Sequence, residues 1–468
     1  MATRKLHYSS LLDVAGQLHT KQISPVELTE YMLKRIGTKD KKLKSYATVT
    51  DELARKQAKK AGQEIQRGRI RSLLHGVPIA VKDLCYTKGL PTAAGMAIHK
   101  AFIPKYNATV VQRFAAAGAV LLGKLQMTEG AFAEHHPDIS PPVNPWNGAH
   151  WPGVSSSGSG VATATGLCFA SLGSDTGGSI RFPSAANGLT GLKPTWGRVS
   201  RYGIFDLAPT LDHVGPICRN AADAGAVLNI IAGADTNDST ASSTPVPNYL
   251  AGLERGISGL RFGFDPQYNR RGVDQEMVQT TNATLGTLKS MGADLREITF
   301  PNTDAVVDSW PAHCGIETAL AHQKTYPKKK EQYGPALARL IELGLSLSAT
   351  DYQKILLTRH SFCGAVKTLF NDIDILVVPA QGTASPTSKT MKDARRNPEI
   401  LAAMEMSRFT GPFDFTGSPA LTIQSGFTRA GMPVAIQFIG RHFEEDLLIR
   451  AGHAYQRETD WHTEHPVA

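Results

Sequence analysis

Short apolar runs closed by glycine or a polar residue alternate along this chain with longer amphipathic stretches. Residues 8–67 read as mostly helical. Ser24-Pro25-Val26-Glu27 is a capping box with proline at the first helical position, which predicts a helix to about Ile36. The Ala-, Lys-, Gln- and Glu-rich stretch 51–67 predicts a second, more solvated helix. Beyond it strands and helices interleave. Residues 77–81 form a buried-type strand, with Pro78 tolerable only near its start. Helices are predicted over 108–118, 155–166 and 180–187, and strands over 119–123 and 167–172. Residues 188–194 read as a tight turn region, and 235–248, with Pro245 and Pro247, as a loop and subdomain boundary. Further strands are expected at 260–264, 295–300, 374–379, 420–423 and 434–439, and helices at 275–288, across most of 305–370 and at 445–458; 380–397 reads as an irregular loop. The repeated helix–strand order argues for an α/β layered fold.

Composition narrows the class. A chain of 468 residues with 41% hydrophobic residues and 43 glycines fits a globular α/β protein with many tight turns and a large core. The net charge of +9 is scattered: Lys328-Lys329-Lys330 is the longest cationic run, and neither zinc-finger spacing nor an aromatic–basic RNA motif occurs. A solvated basic surface follows, with no nucleic-acid partner. Five widely spaced cysteines without a Cys-x-x-Cys pair fit free thiols in a reducing, cytoplasmic setting. Residues 1–10 lack an apolar signal core, and no window of about 18 apolar residues predicts a membrane span.

The chemistry concentrates between Gly153 and Arg181, where seven serines and seven glycines surround one apolar segment. Gly177-Gly178-Ser179 gives a backbone free to turn its N–H groups inward beside a hydroxyl, the material of a nucleophile in an oxyanion hole. A flexible Gly/Ser linker is the rival, but residues 161–172 are too apolar for one. Upstream, the 77–81 strand ends on Lys82. Such a lysine either snorkels to solvent or is desolvated, with a depressed pKa that lets it act as a base. Other chemistries fall away. Gly118 to Leu125 nearly spells a phosphate loop, but Leu125 stands where the magnesium-binding hydroxyl belongs. Glu134-His135-His136-Pro137-Asp138 lacks metal-ligand spacing, so no metal is expected; loop histidines there line a pocket instead. No Gly-x-Ser-x-Gly elbow is present.

Val81-Lys82-Asp83, Gly153 to Gly160, Gly173 to Pro183, Gly191 to Pro194, Gly215-Pro216, Gly417 to Ala420 and Gln437 to Gly440 follow, in order, the motifs of the amidase signature family, which the chain resembles from about residue 8 to 465. The resemblance implies a single large α/β domain, with a central mixed twisted β-sheet covered by helices on both faces. Residues 1–67 would be a helical arm and 68–468 the catalytic domain, with a variable helical covering region at about 305–370. It implies a Ser–cis-Ser–Lys triad of Ser179 as nucleophile, Ser155 as bridge and Lys82 as base, Ser155 standing 24 residues before Ser179 as in the family. It also implies an oxyanion hole of the Thr176, Gly177, Gly178 and Ser179 amides, with Asp175 and Arg181 as a buried pair bracing the loop. No cofactor is implied. Where the family usually has Gly-Gly-Ser-Ser, Val154 replaces the second glycine, which narrows the pocket beside Ser155.

The resulting expectation is a hydrolase of non-peptide amides, aryl or acyl, with esters and carbamates within reach of the same attack, working as a monomer or homodimer. Met127, Phe132, His135 and Val154 are the candidate substrate contacts. An amidotransferase of the A type, working within a multi-subunit complex, is the alternative, but its loop after Gly-Lys is only partly matched by residues 126–136. A non-catalytic amidase-like binding protein would be expected to lose Lys82, Ser155 or Ser179, and all three are present.

Overall fold

The computed structural model describes residues 6–397, 404 and 406–467; the first five residues of the expected arm, and residues 398–403, 405 and 468 of the expected catalytic domain, lie outside the described residues. Among the described residues eleven strands make one mixed sheet: β1 Tyr46–Val49, β2 Pro78–Lys82, β3 Val120–Leu125, β4 Ser171–Asp175, β5 Thr190–Lys193, β6 His213–Cys218, β7 Arg261–Phe264, β8 Asp294–Glu297, β9 Ile375–Pro379, β10 Ala420–Phe427 and β11 Pro433–Ile439. Their order is β1-β3-β2-β4-β6-β5-β10-β11-β9-β7-β8. β3, β2 and β4 run parallel, as do β9, β7 and β8; the remaining neighbours are antiparallel. Every residue of β2, β3, β4, β5 and β6 is buried, the pattern of strands covered on both faces.

The capping box at Ser24 forms in both directions, and its helix runs to Leu43, beyond the expected Ile36. The arm is not purely helical. β1 adds an edge strand antiparallel to β3, so residues 46–49 belong to the main sheet. Four residues between two strong helices carry too little period-2 signal to be read in advance. Two other expectations are corrected, and two elements are added. Residues 190–193 are a strand, not a turn, because β6 and β10 pair with them on either side. β6 and the helix Ala221–Ile231 were not anticipated. The supposed irregular loop at 380–397 holds a helix, Ser388–Ala394.

Two features of the fold build the site. First, β2 and β4 run side by side in parallel with Val81 opposite Leu172, so their carboxyl ends deliver Lys82 and residues 174–175 to one place. Ligands in open α/β sheets bind at such strand ends. Second, helices α1 Ser157–Ala164 and α2 Arg181–Asn187 are buried along their whole lengths. α1 reaches backbone contact: a Cβ on Gly158 would lie 2.4 Å from Ser45 O and 2.5 Å from Gln126 O. The small residues of the Ser/Gly-rich stretch are therefore packing residues as well as chemical ones. The 305–370 region supplies α3 Asp304–Ala321, α4 Pro335–Ser346 and α5 Ala349–Leu369. α3 and α4 cross so closely that a Cβ on Gly344 would fall 2.0 Å from Gly315 O. No helix among the described residues is long and apolar enough to cross a membrane.

Candidate active site

Lys82 ends β2 fully buried, so the snorkelling alternative does not occur. Its Nζ donates to Ser155 Oγ at 2.6 Å and to Ser174 Oγ at 2.8 Å, and both serines are buried. Burial disfavours the ammonium and lowers the Lys82 pKa from 10.5 to about 7, against the smaller opposing pull of Asp175. The Val154–Ser155 peptide bond is cis. A second buried lysine, Lys193, is also lowered to about 7 by burial, but it donates to Ser418 O at 2.6 Å and lies 3.1 Å from His213 Nε2, and among the described residues it makes no hydrogen bond to a serine hydroxyl. Of the two, only Lys82 is placed to exchange a proton with a hydroxyl.

The turn carrying Ser179 hangs on Asp175. Its carboxylate accepts the amides of Gly178 (2.6 Å), Ile180 (2.9 Å) and Arg181 (3.2 Å), and the Arg181 guanidinium through Nε (3.0 Å) and Nη2 (2.8 Å). Burial opposes ionisation of Asp175, yet the Arg181 charge and these donors outweigh it and hold the carboxyl well below the usual range. Arg181 Nη2 also donates to Asp414 at 2.7 Å. The expected pair is thus a buried triad of two carboxylates about one guanidinium. Ser179 itself is half-buried, and no hydrogen bond among the described residues joins its Oγ to Ser155.

One expectation for the oxyanion hole changes. The Gly178 N–H is committed to Asp175 and is not free to receive an oxyanion. The Gly177 and Ser179 amides have no protein acceptor among the described residues. Thr176 is tied down through its hydroxyl, which donates to Asp212 Oδ1 at 2.6 Å, and its carbonyl, which accepts from Trp310 Nε1 at 2.8 Å.

Val154 packs against a cluster of Trp151, Phe182, Met391, Ala394, Met404 and Met406, separate from the main core. Phe182 also backs the Gly178 turn: a Cβ there would meet its ring at 2.4 Å. An apolar, aromatic wall therefore flanks both Ser155 and Ser179. His135 belongs to this neighbourhood, with Nε2 3.0 Å from Ser157 Oγ. Burial first, then the Arg395 charge, lowers its pKa to about 4, so the ring is neutral near pH 7. Met127 is different: it is fully buried in the main core, where Phe132 also packs, partly exposed. His136 turns away toward Asp138, 3.7 Å distant. Sequence reasoning missed Ser174, Asp414, Thr410 and Trp310. Only Ser174 lay within a motif already singled out; the others come from segments more than 130 residues away in the chain.

Comparison with known proteins shows the family. The amidase family profile matches residues 27–449. A Mycobacterium tuberculosis (strain ATCC 25618 / H37Rv) protein named "Putative amidase AmiD" is 46% identical over 457 residues, spanning 97% of this chain and 95% of its own. The A-type component of the glutamyl-tRNA(Gln) amidotransferase of Chloroflexus aggregans is 37% identical over 488 residues, 99% of either chain. The crystal structure of native peptide amidase from Stenotrophomonas maltophilia superposes with a TM-score of 0.83 at 27% identity over 97% of each chain.

Proposed function

The chain belongs to the amidase family and is an amidase, and from that premise we propose a free-standing hydrolase that cleaves aryl or acyl amides through an acyl-enzyme on Ser179. The observation that carries this reading is the fully buried Lys82–Ser155 hydrogen bond of 2.6 Å, with burial lowering the lysine pKa to about 7. A neutral lysine has a lone pair to accept the Ser155 proton; an ammonium has none. Ser155 in turn takes the proton of Ser179, whose Oγ attacks the substrate carbonyl. The Gly177 and Ser179 amides receive the developing oxyanion. As the intermediate collapses, the proton returns through Ser155 to the leaving nitrogen, and water enters by the same relay to release the acid. Ser174 Oγ keeps Nζ aimed at Ser155.

The wall of Val154, Trp151 and Phe182 favours apolar acyl or aryl groups beside the reacting centre. Esters and carbamates meet the same attack and the same donors. The amidotransferase reading draws on the Chloroflexus relative, but the higher identity to the mycobacterial protein and the divergent 126–136 loop favour hydrolysis by the isolated chain. The test is a panel of aryl amide, alkyl amide, ester and carbamate substrates, run with Lys82→Ala and Ser179→Ala. Hydrolysis of the aryl amide, abolished in Ser179→Ala, is expected. An isolated chain inert on every member would overturn the reading.

A further inference from the structure

Each peptide group is a rigid plane whose C=O and N–H point in opposite directions, so pinning a carbonyl aims the next residue's amide. Three planes in succession are pinned in the Ser179 turn. The Thr176 carbonyl accepts from Trp310 Nε1 at 2.8 Å. The Gly177 carbonyl accepts from Thr410 Oγ1 at 2.7 Å, while the N–H of the same plane, on Gly178, goes to Asp175 at 2.6 Å. The Gly178 carbonyl accepts the Phe182 amide at 2.7 Å. The first and third planes therefore leave N–H groups, on Gly177 and Ser179, that take no protein acceptor among the described residues.

The second and third planes are held by groups near the turn itself or by the loop before Gly411. Only the first is held from the covering region, and the holder is a side chain. Trp310 lies half-exposed on α3, directly before Pro311 in the helix interior. Its ring is pressed against the turn: a Cβ on Gly177 would sit 2.5 Å from Trp310 Cζ2 and 2.8 Å from Cε2. The contact is thus a matched pair, a glycine with no side chain under an indole that donates to the carbonyl one residue earlier. A donor on the Thr176 carbonyl also draws electron density from the Gly177 nitrogen, making its N–H the stronger donor.

The geometry points to Trp310 as a positioning residue for the oxyanion site: its indole N–H fixes the plane of the 176–177 peptide and so aims the Gly177 amide at the substrate oxygen. This inference rests on the reading of Ser179 as nucleophile. It gives the covering region a part in the reaction itself, beyond enclosing the cleft.

The test removes the N–H while keeping the ring. Trp310 is replaced by 3-benzothienylalanine, in which sulfur stands for the indole N–H, and separately by phenylalanine (Trp310→Phe). Each protein is assayed for kcat and KM on p-nitroacetanilide, for Ki of a trifluoromethyl ketone that forms a tetrahedral adduct, and for its unfolding midpoint. The benzothienyl protein should lose about tenfold in kcat, the size of one aimed hydrogen bond. Its KM should stay within about twofold, its ketone Ki should rise by the same factor as kcat falls, and its unfolding midpoint should not move. Trp310→Phe should lose at least as much kcat, and 5-fluorotryptophan, which retains the N–H, should keep native kcat. Native kcat and Ki in the benzothienyl protein would overturn the inference, as would a loss seen only together with a lowered unfolding midpoint. If instead the unmodified enzyme takes no fluorophosphonate label on Ser179, it is the parent reading that fails.

Discussion

Replacing Lys82 by methionine should make the protein more stable at neutral pH while abolishing its activity. The side chain is fully buried, and its pKa falls from 10.5 to about 7 on folding. Because the native pKa lies below the unfolded one, the unfolded chain holds an extra proton between these two values, and stability conferred at this site rises with pH across that window. Below pH 7 the full penalty for burying the amine applies, about 5 kcal/mol at 1.36 kcal/mol per pKa unit. Lys82→Met removes that penalty but also the hydrogen bonds to Ser155 and Ser174, each worth about 1 kcal/mol. The variant should therefore be more stable than the native chain by roughly 2–3 kcal/mol at pH 6–7. That advantage should decline by about 1.4 kcal/mol per pH unit, vanish near pH 9, and become a deficit of about 1 kcal/mol at pH 10. Urea unfolding of both proteins from pH 6 to 10 measures the difference, and titrations common to the two cancel. A difference that does not change with pH would show that Lys82 is equally protonated in the native and unfolded chains, which would leave no neutral lysine to act as base.

The same lysine should set the pH dependence of turnover: kcat/KM of the native enzyme on a neutral aryl amide should rise about tenfold per pH unit below about 7 and level off above it. Asp175→Asn deprives a buried arginine and three amides of a charged acceptor; because Asp414 still faces Arg181 at 2.7 Å, destabilisation should fall near 3 kcal/mol, the low end for a broken buried pair, and activity should fall at least a hundredfold, both readable by thermal unfolding and a steady-state assay. Gly344→Ala forces a methyl toward the Gly315 carbonyl at the α3–α4 crossing and should cost about 1–3 kcal/mol, seen as a lowered unfolding midpoint. Val154→Gly should open the wall beside Ser155 and raise kcat/KM several-fold for bulky aryl amides over acetamides; an unchanged ratio would place the acyl group elsewhere.

The parts of the site legible in sequence were those set by local chemistry. Lys82 stood out because a charged residue closes a run of apolar ones, and β2 ends on it as its pattern requires. The Ser/Gly-rich stretch was visible as a whole, but composition could not choose among its seven serines; the family resemblance did, and of those seven Lys82 meets Ser155 and Ser174. What stayed hidden depends on register and on distant segments. Ser174 meets Lys82 only because Val81 lies opposite Leu172 across the β2–β4 ladder. Trp310 and Thr410 reach the turn from 134 and 233 residues away, with no local pattern to announce them. Gly178 looked equivalent to Gly177, and only the path of the Asp175 carboxylate separates the bound amide from the open one. Strand β5 was missed for a related reason: Gly188, Gly191 and Pro194 read as turn chemistry, while β6 and β10, pairing on its two flanks, hold residues 190–193 in the sheet.

The account stands on Ser179 as a nucleophile that Lys82 activates, and intact mass with peptide mapping after exposure to a fluorophosphonate tests this most directly. One adduct per chain on Ser179 is predicted, absent from Ser179→Ala and formed at least a hundredfold more slowly in Lys82→Met. Labelling at another serine, or labelling that persists unchanged in Ser179→Ala, would contradict it.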